Sequence, residues 1–233
     1  MSVETHRVLI GACGWKHPSW LNDFYSDDLP EDWQLGFYSN EFPVVYVPST
    51  DWLDADDFDD WIEDVADSFR FILEIPSSVL TDNDTFASVL TKIKSLSEHC
   101  LGVVLLLDQS TRDDAQLLND ALIQLQELTS VCVESKELNL SAEIQSILLK
   151  QNISATWDGQ FKEGDSAESL GLMRGNLSVS HVSSENLDMP TLRKVLEICL
   201  ESSNEEHTSV LCIDGEPPSL EIIRNADILL NLL

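Results

Sequence analysis

The sequence predicts an α/β fold, a compact TIM-like (β/α)8 barrel with short loops in one domain spanning residues 1–233. Three observations carry that expectation. Short runs rich in Val, Ile and Leu alternate with helix-length amphipathic stretches along the whole chain, as in a parallel sheet joined by helical crossovers. The chain has 233 residues, inside the range of about 200 to 250 usual for a barrel, so its loops must be short. The alternative, an open doubly wound sheet, calls for a phosphate-binding glycine turn after the first strand. Gly11 and Gly14 are the only glycines there, and G-x-G-x-x-G is absent.

The strand-like runs, in order, are Arg7 to Ile10, Val44 to Val47, Phe69 to Ile75, Val103 to Leu107, Val131 to Val133, Ile153 to Trp157, Leu177 to Val182 and Val210 to Ile213. Between them, helical spacing of apolar residues predicts helices over Asp54 to Ser68, Asp84 to Glu98, Asp113 to Leu128, Ser141 to Gln151, Thr191 to Ser202 and Ser219 to Leu232. Pro30 to Phe42 and Asp165 to Met173 complete the alternation with weaker patterns. Asp84, Asp113, Ser141 and Ser219 have the acceptor side chains that suit a helix N-cap. Pro190, and Pro217 with Pro218, stand where a proline tolerates a helix start.

Charge narrows the function classes. Acidic residues number 42 against 13 basic ones, for a formal charge of -29. Nucleic-acid binding rests on Lys and Arg neutralising phosphates, so this composition argues against it. The surplus is densest from Asp51 to Asp64, where Phe58, Trp61, Ile62 and Val65 recur at helical spacing and leave the carboxylates on the other face. That face reads as solvated helix surface, as a docking face for a basic protein partner, or as a surface adapted to high salt. No run approaches the ~18 apolar residues of a membrane span. The opening Met1 to Thr5 lacks a basic-then-apolar signal layout, which is read as a cytoplasmic protein with no membrane partner.

Five cysteines, at 13, 100, 132, 199 and 212, are scattered without a C-x-x-C pair, so neither a zinc knuckle nor a dithiol motif is expected. Cys132 and Cys212 lie in apolar runs and read as packing residues. Cys13 differs, lying between Gly11 and Gly14, where a reactive thiol is conceivable.

The segment Ile10-Gly11-Ala12-Cys13-Gly14-Trp15, with Trp20, Asp23-Phe24-Tyr25 and Leu29-Pro30, resembles the opening of the YecE-like family, also called domain of unknown function 72. That family begins I-G-x-S-G-W and continues to F-Y-P-x-x-L-P. Val45 to Trp52 is similar to its V-E-I-N-S-T-F-Y strand, Phe69 to Pro76 to F-R-F-x-x-K-x-P, and Leu101 to Leu106 to L-G-x-x-L-x-Q. Val133 to Lys136 is similar to V-E-F-R-H, and Ile213 to Glu216 with Asn225-Ala226 to F-N-N-D and N-A-x-x-L. The resemblance implies a TIM-like barrel, in line with the independent strand count. It also shows departures. Tyr46 and Pro48 replace the family Glu and Asn, Glu74 its Lys, Leu106 its Gln, and Lys136 with Glu137 its Arg-His pair. His181 stands in the run that carries R-x-H in the family, without the Arg. Against the family pattern, a basic mouth has turned acidic.

In a TIM barrel the chemistry sits at the C-terminal strand ends. Those ends supply Cys13 and Trp15, Ser49 and Thr50, Glu74, Asp108, Glu134, Trp157 and Asp158, His181, then Asp214 and Glu216. Two readings follow. In the first, the barrel is a non-catalytic or degenerate binding member, with Trp15, Cys13, Ser49, Thr50 and Asp158 around a small molecule. Trp15 either stacks on that ligand or supports the first loop. In the second, a hydrolase or isomerase-type enzyme uses Glu134 with Glu74, His181 or Asp214 as acid and base. No cofactor or metal-ligand motif is expected, although several carboxylates beside one imidazole are also the donor types of a divalent metal.

Overall fold

The computed structural model describes residues 8–55, 58–108, 114–135, 140–185 and 187–233. Eight parallel strands, β1 (Val8–Cys13), β2 (Val44–Val47), β3 (Arg70–Pro76), β4 (Cys100–Leu107), β5 (Ser130–Ser135), β6 (Ser154–Ala155), β7 (Leu177–Ser183) and β8 (Thr208–Asp214), form one sheet. Its order is β6-β5-β4-β3-β2-β1-β8-β7. Because β1 pairs with both β2 and β8, the sheet curls round on itself. Its two ends meet where Trp157 bridges Ser180: the Trp157 amide donates to Val179 O (3.1 Å) and the His181 amide to Trp157 O (2.7 Å). The result is a nearly closed TIM-like barrel whose thinnest seam lies between β6 and β7.

The period of two along each strand sorts the core into two layers. Leu9, Val44, Tyr46, Ile72, Val104, Cys132, Leu177, Val179, Val210 and Cys212 fill the barrel interior. Their neighbours Val45, Val47, Phe71, Leu73, Val103, Val133, Leu211 and Ile213 face outward into the helix layer. Gly102 is needed in this filling: a Cβ there would lie 2.3 Å from Leu177 Cδ2 and 2.9 Å from Ser130 O.

Around the barrel run α1 (Gln34–Glu41), α2 (Ser49–Trp52), α3 (Asp59–Asp64), α4 (Asn83–Leu96), α5 (Ala115–Gln126), α6 (Ala142–Lys150), α7 (Met189–Ser202) and α8 (Leu220–Leu230). The capping expectations meet mixed outcomes. Ser141 and Ser219 accept from the amides of Ile144 and Ile222 (both 3.3 Å), and Asp188 caps α7 with Pro190 in its first turn. Asp82, not Asp84, caps α4 by accepting from the Thr85 amide. Asp114 caps α5, and its neighbour Asp113 lies outside the described residues.

Two expected helices are corrected. Among its described residues, Asp54 to Ser68 gives only α3, preceded by the single turn α2. Aspartate is a poor interior helix former, and like charges one turn apart repel. Asp165 to Met173 forms turns instead of a helix. Gly164, Gly171 and Gly175 adopt positive φ there, and Ser166 Oγ accepts from the Ser169 amide, competing with helical bonding. The sixth unit therefore has no helix on its return to β7. Among the described residues, no helix is long and apolar enough to cross a membrane.

Candidate functional site

The strand period decides what reaches the C-terminal mouth. Two residues beyond Ile72, Cys132, Val179 and Cys212 on their strands come Glu74, Glu134, His181 and Asp214, which carry the inward-facing series upward. On β1 and β2 the corresponding top positions are Cys13 and Tyr46, packed on the interior cluster.

Glu74 is the best-anchored of these groups. Its Oε2 accepts from the Tyr46 hydroxyl at 3.0 Å. Its Oε1 accepts from both the amide (3.2 Å) and the hydroxyl (2.8 Å) of Ser49, at the start of α2. The Glu74 carbonyl accepts from Trp52 Nε1 at 2.8 Å, which pins α2 over the end of β3. Tyr46 in turn presents its ring edge-on to His181, with centroids 4.3 Å apart. A chain of contact thus runs Ser49–Glu74–Tyr46–His181 across β2, β3 and β7, residues far apart in sequence.

Electrostatics draw in the remaining members. The Cys13 thiol is pushed far up, first by burial and then by Asp214, Glu74, Asp51 and Glu134; among the described residues, the charges acting on it are carboxylates. The Tyr46 hydroxyl is also pushed far up by burial, with Glu74 and Glu134 adding to it. Burial lowers the His181 pKa, opposed by Asp214 and Glu74. The residue as a whole is half-buried, and its Nε2 is buried and has no hydrogen-bond partner among the described residues. The mouth is therefore a zone of negative potential around a protonated thiol and a neutral imidazole.

Of the residues expected from the sequence, Glu74, Glu134, His181, Asp214, Cys13 and Ser49 come together here. The others do other work. Thr50 is exposed and its hydroxyl donates to Asp51 (3.0 Å). Asp158 is exposed and accepts from the Gln160 amide (2.9 Å), closing its own loop. Trp15 is buried in the helix layer, edge-on to Trp61 at 4.9 Å, so it supports the first loop and does not line the mouth. That loop is held by Gly14, whose φ of 74° suits glycine and whose amide donates to Tyr46 O (2.8 Å).

One correction concerns chemistry. Cys13 lacks the thiolate character a nucleophile needs, because burial and carboxylates raise its pKa where activation requires lowering it. Among the described residues, no group of three or more His, Cys, Asp or Glu is placed to hold a metal ion. Tyr46 is the member that sequence reasoning missed. It stands out in sequence only as a departure from the family Glu, although its alternation with Val44 places it on the inner face.

The model of a family described as protein of unknown function DUF72 matches residues 9–157, more than half of the chain. No curated protein matches it. Among solved structures, the leucine-rich repeat-containing protein LegL7 from Legionella pneumophila is similar over 86% of this chain and 68% of its own, at 13% identity and a TM-score of 0.31. A likeness at that level informs neither fold nor function.

Proposed function

From the premise that the chain belongs to the DUF72 family, we propose that it is a non-catalytic binding barrel whose mouth takes a small ligand, either cationic or rich in hydrogen-bond donors. The observation that carries this reading is the convergence of carboxylates on Cys13 from β3, β5, β8 and the turn after β2. Such a field favours ammonium-bearing or hydroxyl-rich ligands and repels phosphates and carboxylates. The groups that chemistry would call on are poorly prepared for it. The thiol is protonated, and Glu74 is already committed to three donors. Binding needs no such preparation, since a field set by carboxylates attracts an ammonium or a hydroxyl donor without any change of protonation.

A thermal-shift and calorimetric panel of amines, polyols, sugars and phosphate esters tests this. Amines or polyols should raise the melting temperature, and His181→Phe should remove the rise while leaving the barrel folded. Stabilisation by phosphate esters alone, or silence across the panel, would sink the reading. A second reading, acid–base catalysis by Glu134 with Glu74, His181 or Asp214, is favoured by the mutual influence of His181, Asp214 and Glu74. Stabilisation by a divalent ion that Glu134→Gln abolishes would favour it over binding alone.

A further inference from the structure

Away from the mouth, the flank between the approach to α1 and helix α3 carries a groove of 340 Å³. Its walls are aromatic. They comprise Trp33, which is 63% exposed, Trp61, half-buried, and part of the buried Trp15. A second hollow of 320 Å³ adjoins it, sharing Trp33 and Asp64 and adding Phe37, itself 39% exposed. A contiguous exposed Trp and Phe beside two hollows is apolar surface of the kind that marks an interaction site.

Charge selects the occupant. Glu31, Asp32, Asp60, Glu63 and Asp64 rim the groove against one lining cation among the described residues, Lys16. Lys16 shows what the groove accepts: its Nζ lies 5.7 Å from the Trp15 ring centre and 3.5 Å from the Glu31 carboxylate. One side of the groove thus already holds an ammonium between an indole and a carboxylate. We propose that this groove docks a basic peptide segment, receiving a Lys or Arg side chain between Trp33 and Trp61 while the α3 carboxylates pair with its neighbours. A planar guanidinium stacks well on indole, and cation–π contact adds to the ion pairing. Two hollows that share Trp33 suit an extended segment better than a lone amine. The net charge of -29 also steers a basic partner toward the molecule. None of the mouth residues takes part, so the two proposals stand or fall separately.

The probe is a fluorophore-labelled peptide Gly-Lys-Gly-Arg-Gly-Lys-Gly, capped at both ends, titrated by anisotropy at low and at roughly 0.15 M salt. Wild type should bind it, more weakly as salt rises. Trp33→Ala removes no charge yet should weaken binding roughly tenfold. Asp60→Asn with Glu63→Gln should weaken it as well. Glu205→Gln with Glu206→Gln, which removes two charges from an exposed loop elsewhere, should change it less than about twofold. Melting curves confirm that each variant is folded, and the Asp60/Glu63 pair gives an independent readout should Trp33→Ala fail to fold. The proposal is overturned if wild type does not bind the peptide. It is equally overturned if folded Trp33→Ala binds as wild type does, or if the remote pair weakens binding as much as the groove variants, since the attraction would then be diffuse.

Discussion

Three donors meet on the Glu74 carboxylate, and their dependence on it can be measured. Glu74→Ala leaves the largely buried Tyr46 hydroxyl and the Ser49 amide without their acceptor, which should destabilise the fold by about 1–3 kcal/mol in urea unfolding. Glu74→Gln retains acceptor capacity and should cost less. His181 predicts a pH effect with a definite sign. Burial lowers its folded pKa, so as pH falls through about 6.5 the unfolded chain takes up a proton that the folded ring resists, and stability falls. Buried His207 is shifted in the same direction. His181→Gln should therefore flatten, without abolishing, the slope of stability against pH between neutral and mildly acidic solution. An unchanged slope would show that the imidazole is not held neutral by the fold. These residue-level facts were unevenly legible in the sequence. Glu74 and His181 stand at recognisable strand ends, but nothing local to either announces that Tyr46 will join them.

Among the elements, helix starts were legible where a single acceptor preceded the apolar stripe. Ser141 and Ser219 each stand alone before their helices and each accepts from the third residue on. Ser141→Ala and Ser219→Ala should each lower stability by about 1 kcal/mol, read from denaturant midpoints at unchanged slope. Asp82-Asn83-Asp84 offers three competent caps in a row, and only backbone geometry selects Asp82. Propensity also failed between β2 and β3, where the apolar spacing of Phe58, Trp61, Ile62 and Val65 is real. All four pack on the core, but the surrounding aspartates limit the regular helix to Asp59–Asp64. The segment after β6 shows the opposite case. Ala167 and Leu172 are buried as a helix face would be, yet glycines at positive φ turn the chain instead.

For the molecule as a whole, charge and closure act against each other. A formal charge of -29 repels itself within one compact barrel, and the ion pairs Lys16–Glu31, Arg193–Glu197, Lys194–Glu197 and Arg224–Glu41 involve exposed side chains, each contributing little. Screening should therefore stabilise: the melting temperature is expected to rise between low and moderate ionic strength, as the Debye length shrinks toward ~8 Å. A flat or falling trend in calorimetry would show that self-repulsion is not what limits this fold.

Alternation of short apolar runs with amphipathic stretches was enough, within the chain alone, to determine eight strands, most of the helices between them and the barrel they build, because both periods arise from neighbours a few residues apart. It also determined which residues top each strand. Which of those side chains meet was decided only in three dimensions. Curling of the sheet brings positions 13, 46, 74, 134, 181 and 214 to one rim. It also turns Trp15 into the helix layer and leaves Thr50 and Asp158 to their own turns. Such meetings depend on strand register and on the direction of each side chain across long separations, and no local pattern encodes either.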